Sequence, residues 1–111
     1  MIVRLLRARI APNRTPEFHA FIQQVGLPTL RATAGLVDVH IGRRSVGTHD
    51  EAVVVSIWRD WDALVKAVGD PNQPYLITLE TGLVVETSVE HYEAVDVDEL
   101  LPSLEEALPP A

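Results

Sequence analysis

The segment Glu51 to Trp58 (EAVVVSIW) constrains this chain more than any other stretch of it. Its β-branched residues favour a strand, and its apolar side chains fall on both faces instead of alternating with polar ones. Such a strand has to lie inside a sheet and be covered on each side. A fold for this chain must therefore supply neighbours at both edges of Glu51–Trp58 and a layer over each of its faces.

The neighbours can be read from the same periodicities. Met1 to Ile10 (MIVRLLRARI) is a first strand that ends at the turn Pro12-Asn13. Thr15, Pro16 and Glu17 carry helix-start chemistry: a capping hydroxyl, proline at the first helical position and a carboxylate near the positive dipole end. Phe18, Phe21, Ile22 and Val25 then share one helical face, and Gly26 with Pro28 is expected to interrupt the helix. Thr29 to Thr33 can add a turn before Ala34-Gly35. Leu36 to Arg44 alternates Val37, Val39 and Ile41 against Asp38, His40 and Gly42, the period-two pattern of a strand. Ser45 to Asp50 is expected as a hairpin loop into Glu51–Trp58. Asp60 caps a second helix with Trp61, Leu64, Val65 and Val68 on one face and Gly69 as its stop. Tyr75 to Leu83 reads ambiguously and leans to a short helix. Val84 to Val95 is a last strand, with Val85, Thr87, Val89 and His91 opposite Glu86, Ser88, Glu90 and Tyr92. The order β-α-β-β-α-β gives an α+β, ferredoxin-like, four-stranded antiparallel sheet with both helices on one face.

Helices on one face leave the other bare, and the doubly apolar third strand demands a cover there. A second copy packed sheet on sheet supplies it, so a homodimeric α+β barrel is expected. The length of 111 residues suits one core, placed at 1–95. Residues 96–111 form an acidic tail carrying Asp96, Asp98, Glu99, Glu105 and Glu106 and no base. Val97, Leu100 or Leu101, Leu104 and Leu108 give it an apolar stripe interrupted by Pro102, and two readings stand: a solvated end, or a helical arm that docks on the partner. A formal charge of −7 argues against a nucleic-acid partner held by phosphate contacts. No apolar run is long enough for a membrane span. Arg4, Arg7 and Arg9 break up the N-terminal apolar residues, so no secretory signal is recognisable and the cytoplasm is the expected location. Without cysteine there are no disulfides, thiolate nucleophiles or sulfur-ligated metals. No His-x-x-x-His or Glu-x-x-His spacing occurs, and no phosphate loop or Ser-His-Asp constellation is visible, so neither a metal nor an organic cofactor is expected.

Gly35-Leu36 opening the second strand, VVVSIW ending in Trp58, the helix RDWDALVKAV after it and HYEAV around Tyr92 together resemble the dimeric α+β barrel superfamily, and within it the antibiotic biosynthesis monooxygenase-like domains. The resemblance covers residues 1–95. It implies a homodimer that oxygenates or rearranges an apolar, aromatic substrate without a cofactor; the alternative is a non-catalytic ligand-binding or structural dimer of the same fold. The haem-degrading branch carries an Asn on strand one, a Trp within the second helix and a His after it. Here strand one has no Asn, the helix position falls near Ala67, and residues 70–83 contain no His, so haem degradation is disfavoured. The quinone-forming branch uses Asn, Trp and Tyr around a deprotonated phenol; Trp58 matches the Trp best, Tyr75 is the candidate Tyr and Asn72 a loose candidate Asn.

The residues that could carry such chemistry are few. His91 and His40 have imidazoles suited to general-base work near neutral pH; otherwise His91 is a hydrogen-bonded strand histidine and His40 a solvated residue of an edge strand. They lie on opposite sheet edges in this topology. His19 flanks the apolar face of the first helix and, with Phe21, could look into a pocket between helix and sheet. Trp58, at a strand end, is either core or pocket wall, whereas core packing accounts for Trp61. Tyr75 and Tyr92 are the other aromatics able to face a planar substrate. Arg4 lies on one face of strand one and Arg7 and Arg9 on the other; they either pair with Glu86, Glu90, Glu93 or Asp38 or, Arg7 foremost, anchor an anionic substrate.

Overall fold

The computed structural model of the chain describes residues 1–73 and 82–98. The elements run β1 (Ile2–Ile10), α1 (Thr15–Phe21), a π-helical turn (Ile22–Gly26), α2 (Leu27–Arg31), β2 (Leu36–Val46), β3 (His49–Trp58), α3 (Trp61–Val68) and β4 (Val84–Glu93). The four strands form one antiparallel sheet in the order β2-β3-β1-β4, with the helices on one face. The doubly apolar β3 is thus interior, as its composition requires. No helix among the described residues is long and apolar enough to cross a membrane. Most of the expected Tyr75–Leu83 helix, and the tail from residue 99 onward with Leu101, Leu104 and Leu108, lie outside the described residues.

Several local expectations are corrected. Thr15 does not cap α1: Arg14 occupies the cap position, and the Thr15 hydroxyl donates instead to Asp50 Oδ2 at 2.7 Å, tying the helix start to β3. The helix does not break at Gly26 and Pro28. Pro28 has no N–H to donate, and its ring would collide with the carbonyl four residues back in a regular α-helix. The chain widens through Ile22–Gly26, the Leu27 N–H bonds back to the Ile22 carbonyl, and the helix continues as α2. The hairpin is tighter than the sequence suggests: β2 extends to Val46, β3 starts at His49, and Gly47 takes φ +60° in the two-residue turn.

Two β-bulges shift the alternation. One between Leu36 and Asp38 displaces Val37, and one opposite Arg9 and Ile10 displaces Val85. Both valines are consequently 55% exposed instead of sharing a face with Val39 and Val89. Asp60 caps α3 as expected, accepting from the Ala63 N–H at 2.8 Å, and Gly69 ends it with φ +79°. The helix is rotated from its expected face, however. Ala63 and Leu64 are buried, while Trp61 at 46% and Val65 at 45% stand exposed, so Trp61 is not a core residue.

The helix-side core falls into two clusters. At one end of the sheet Ala8, Ile10, Phe18, Ala52, Leu83 and Val84 pack together; at the other Ile2, Trp58 and Leu64 pack with Leu30, Leu36 and Val68. The cross-strand rungs between them are Arg4 with Ser56 and Leu6 with Val54. A polar pair thus sits in the middle of an apolar layer, and the site forms there.

Candidate functional site

A cavity of about 170 Å³ lies between these middle rungs and the helical segment above them. Leu6, Val54 and Ile41 form its sheet wall; Phe21, Ile22 and Leu27 form its helical wall. The π-helical turn contributes directly, because Val25 and Gly26 also line the space. Trp58 closes one end at 1% exposure, with its indole N–H donating to Ser56 Oγ at 2.9 Å. Trp58 is both core and wall, which resolves the two readings of its strand-end position. A wider concavity of about 350 Å³, bordered by Arg7, Arg43, Arg44 and Glu51, lies open at the far end of the sheet and has a charged rim.

Among the described residues Arg4 is the one cation lining this cavity, and its residue exposure is only 3%. Nη1 donates to the Pro71 carbonyl at 3.0 Å, and Nη2 to the Gln73 carbonyl at 3.1 Å. Nη1 also stands 2.9 Å from His91 Nε2, an arrangement satisfied when Nε2 accepts and the ring proton sits on Nδ1. Among the described residues no carboxylate lies within ion-pair distance of Arg4. The ion-paired reading therefore fails for Arg4 and holds for Arg7, which pairs with Glu90 on the opposite face. Burial pulls the Arg4 guanidinium below its usual value, yet arginine remains a cation throughout the working range. Burial first, and then the Arg4 charge, holds the His91 imidazole below its ordinary value of 6.5. His91 is thus kept neutral at neutral pH, and its ring lies 5.2 Å from the Trp61 ring.

The remaining sequence candidates divide sharply. Trp58 and Phe21 line the cavity, and His91 reaches it through Arg4. His40 does not: it lies on the opposite face, exposed, with Nε2 3.1 Å from Asp38 Oδ2. Arg7 and Tyr92 share that face. The Tyr92 hydroxyl donates to Glu90 Oε2 at 2.8 Å, and this bond raises the phenol's pKa above its ordinary value. His19 turns away from the cavity to Arg43, whose Nη1 is 3.2 Å from its Nε2. Asn72 is exposed, its N–H bonded to Asp70 Oδ1 at 3.0 Å. Tyr75 falls outside the described residues. Sequence reasoning noticed Arg4 but selected Arg7 as the anchor; the signal that separates them is the strand's alternation, which puts Arg4 on the same sheet face as Ile2 and its partner Trp58.

No protein-family model matches the chain, and no curated protein matches it. Solved structures do share its fold. A Deinococcus radiodurans protein provisionally assigned as an antibiotic biosynthesis monooxygenase superposes with a TM-score of 0.67 at 13% identity, covering 86% of this chain and 94% of that one. A Bordetella bronchiseptica protein with the same provisional assignment gives 0.66 at 21% identity, over 86% and 97% of the two chains. A variant of SnoaB, a cofactor-independent oxygenase from Streptomyces nogalater, gives 0.59 at 20% identity, over 86% and 93%. The chain thus has the ferredoxin-like fold of the antibiotic biosynthesis monooxygenase structures, as the residues around Gly35, Trp58 and Tyr92 imply.

Proposed function

We propose that the chain is a homodimeric oxygenase that acts on a small aromatic substrate in the helix–sheet cavity and needs no organic cofactor. The observation that carries this reading is a buried Arg4, with no carboxylate partner among the described residues, facing an apolar cavity with a neutral imidazole held against its guanidinium. Apolar walls keep water away, and a fixed cation in a low-dielectric space stabilises an anion forming beside it. A substrate enol or phenol placed against Arg4 loses its proton to His91 Nε2, which lies behind the guanidinium and is uncovered as Arg4 Nη1 turns from the imidazole to the new oxyanion. The conjugated carbanion then combines with dioxygen. For an activated methylene the two C–H bonds and the O–O bond break, one oxygen atom becomes the carbonyl oxygen, and the other leaves as water with both hydrogens. Dioxygen is the only oxidant. SnoaB, cofactor-independent on the same fold, lends the reaction class support.

Oxygen uptake against hydroquinones and cyclic enolisable ketones tests the reading. One dioxygen consumed per oxygen atom inserted into the substrate, with one water released, is expected. Replacing the base in His91→Gln should slow turnover by about 10²- to 10⁴-fold with little change in KM. Turnover unchanged in that variant would remove His91 from the reaction. Ligand binding without any oxygen uptake would leave the binding-module alternative.

A further inference from the structure

The cavity's size and its charge together say more about the ligand than the reaction class does. Cavities of roughly 150 Å³ lined by aliphatic and aromatic side chains take up one benzene ring. At about 170 Å³, the space here fits one ring and little beyond a polar substituent. Drug-sized ligands occupy pockets of roughly 300 Å³ or more, so a fused polycycle is too large for this one.

Arg4 adds the chemical requirement. Its guanidinium carries five N–H groups, and among the described residues the two carbonyls and His91 Nε2 take one on Nη2 and both on Nη1. Nε and the second Nη2 hydrogen have no acceptor among the described residues. Carbonyl and imidazole acceptors carry no formal charge, so the buried positive charge has no counter-charge within this set. A planar fork whose remaining donors have no acceptor among the described residues matches an oxyanion better than a neutral polar group does. The walls opposite it, Leu6, Val54, Ile41 and Phe21, suit an apolar ring.

From these observations we infer that the helix–sheet cavity is selective for a monocyclic aromatic acid, bound as its monoanion with the anionic oxygen on Arg4 and the ring against Ile41 and Val54. The inference rests on the cavity being the substrate site and names the class of molecule it admits. A carboxylate and a phenolate present the same chemistry to the guanidinium, and separate probes distinguish them.

The test is calorimetric binding to the full chain at pH about 8, using benzoate, 4-nitrophenolate, nitrobenzene as benzoate's neutral isostere, and 9-anthracenecarboxylate for size. Benzoate or 4-nitrophenolate should bind on the order of tenfold to a hundredfold more tightly than nitrobenzene. The tighter of the two anions identifies the head group, and 9-anthracenecarboxylate should not bind. Arg4→Met should abolish the preference for the anion while keeping nitrobenzene affinity. Ala67→Phe, which fills the cavity and leaves the guanidinium in place, should abolish binding of all the single-ring probes; it carries the test if Arg4→Met does not fold. Equal affinity for benzoate, 4-nitrophenolate and nitrobenzene, tight binding of the tricycle, or benzoate affinity retained in Ala67→Phe would each overturn the inference. Benzoate undergoes no oxygenation, so these results are independent of oxygen uptake, and failure of one reading is separable from failure of the other.

Discussion

A β-carbon at Gly35 would stand 2.5 Å from Ala63 Cβ, and the backbone there has φ +88°. Glycine is required for both reasons, since it opens β2 where α3 presses closest. Gly35→Ala should destabilise the protein by roughly 2 kcal/mol or more, read as a lower urea midpoint at unchanged m-value; an unchanged midpoint would mean that α3 yields freely. His91 makes a prediction of the opposite kind, in pH. Its folded-state pKa lies below the unfolded value, so below about 6.5 the unfolded chain binds the proton that the native state refuses. Stability should fall as pH drops from about 7 towards 5, and His91→Gln should flatten that slope. Hydrogen bonds hold the carboxyls of Asp50, Glu51, Asp60 and Glu90 below the ordinary carboxylate range, so they leave this window clear. An identical slope in both proteins would assign the pH response elsewhere.

Among the elements, the helical segment over the cavity is the one whose character the sequence hides. Phe18, Phe21, Ile22 and Val25 satisfy the ordinary helical spacing, and nothing in that spacing marks the π-helical turn. The turn exists because Pro28 needs the carbonyl ahead of it moved aside, and the displaced backbone at Val25 and Gly26 makes part of the cavity wall. Deleting Gln24 should restore regular winding, preserve the helical circular dichroism and abolish binding of single-ring ligands; retained binding would show that the wall does not depend on the turn. At α3 the capping chemistry is plain in the sequence, and Asp60→Ala should cost about 1 kcal/mol in thermal or urea unfolding.

At the scale of the molecule, the sheet face opposite the helices has Val3, Leu5, Val53, Val55 and Ile57 at its centre, none fully buried in the chain alone. Arg44 lies towards the β2 edge of that face and Glu86 and Glu90 lie on β4. In the proposed homodimer, a two-fold axis along the strands would set the β2 edge of one copy against the β4 edge of the other, matching charge as it covered the valines. Each apolar side chain so covered contributes roughly 1.5–3 kcal/mol. Light scattering should give about twice the 12.2 kDa chain mass, and Val55→Lys should shift it to the single-chain value. A wild type that stays monomeric at micromolar concentration would sink the proposal.

The one-dimensional pattern was sufficient for strand order, for the capped α3 and for the bare face, because each follows from local periodicity and from the need to cover β3 twice. It also singled out Phe21 as a substrate-binding candidate and Trp58 as either core or pocket wall, and it separated Arg4 from Arg7 by face. Packing decided the rest. The bulges at Val37 and Val85, the rotation that exposes Trp61 and the π-helical turn each shift side chains by a fraction of a repeat, and only contacts from distant segments can set that fraction. The site depends on such contacts: Arg4, His91 and the Pro71 and Gln73 carbonyls come from three separate parts of the chain. Their convergence is fixed by sheet pairing and by the fit of α3 over the sheet, which no local spacing encodes.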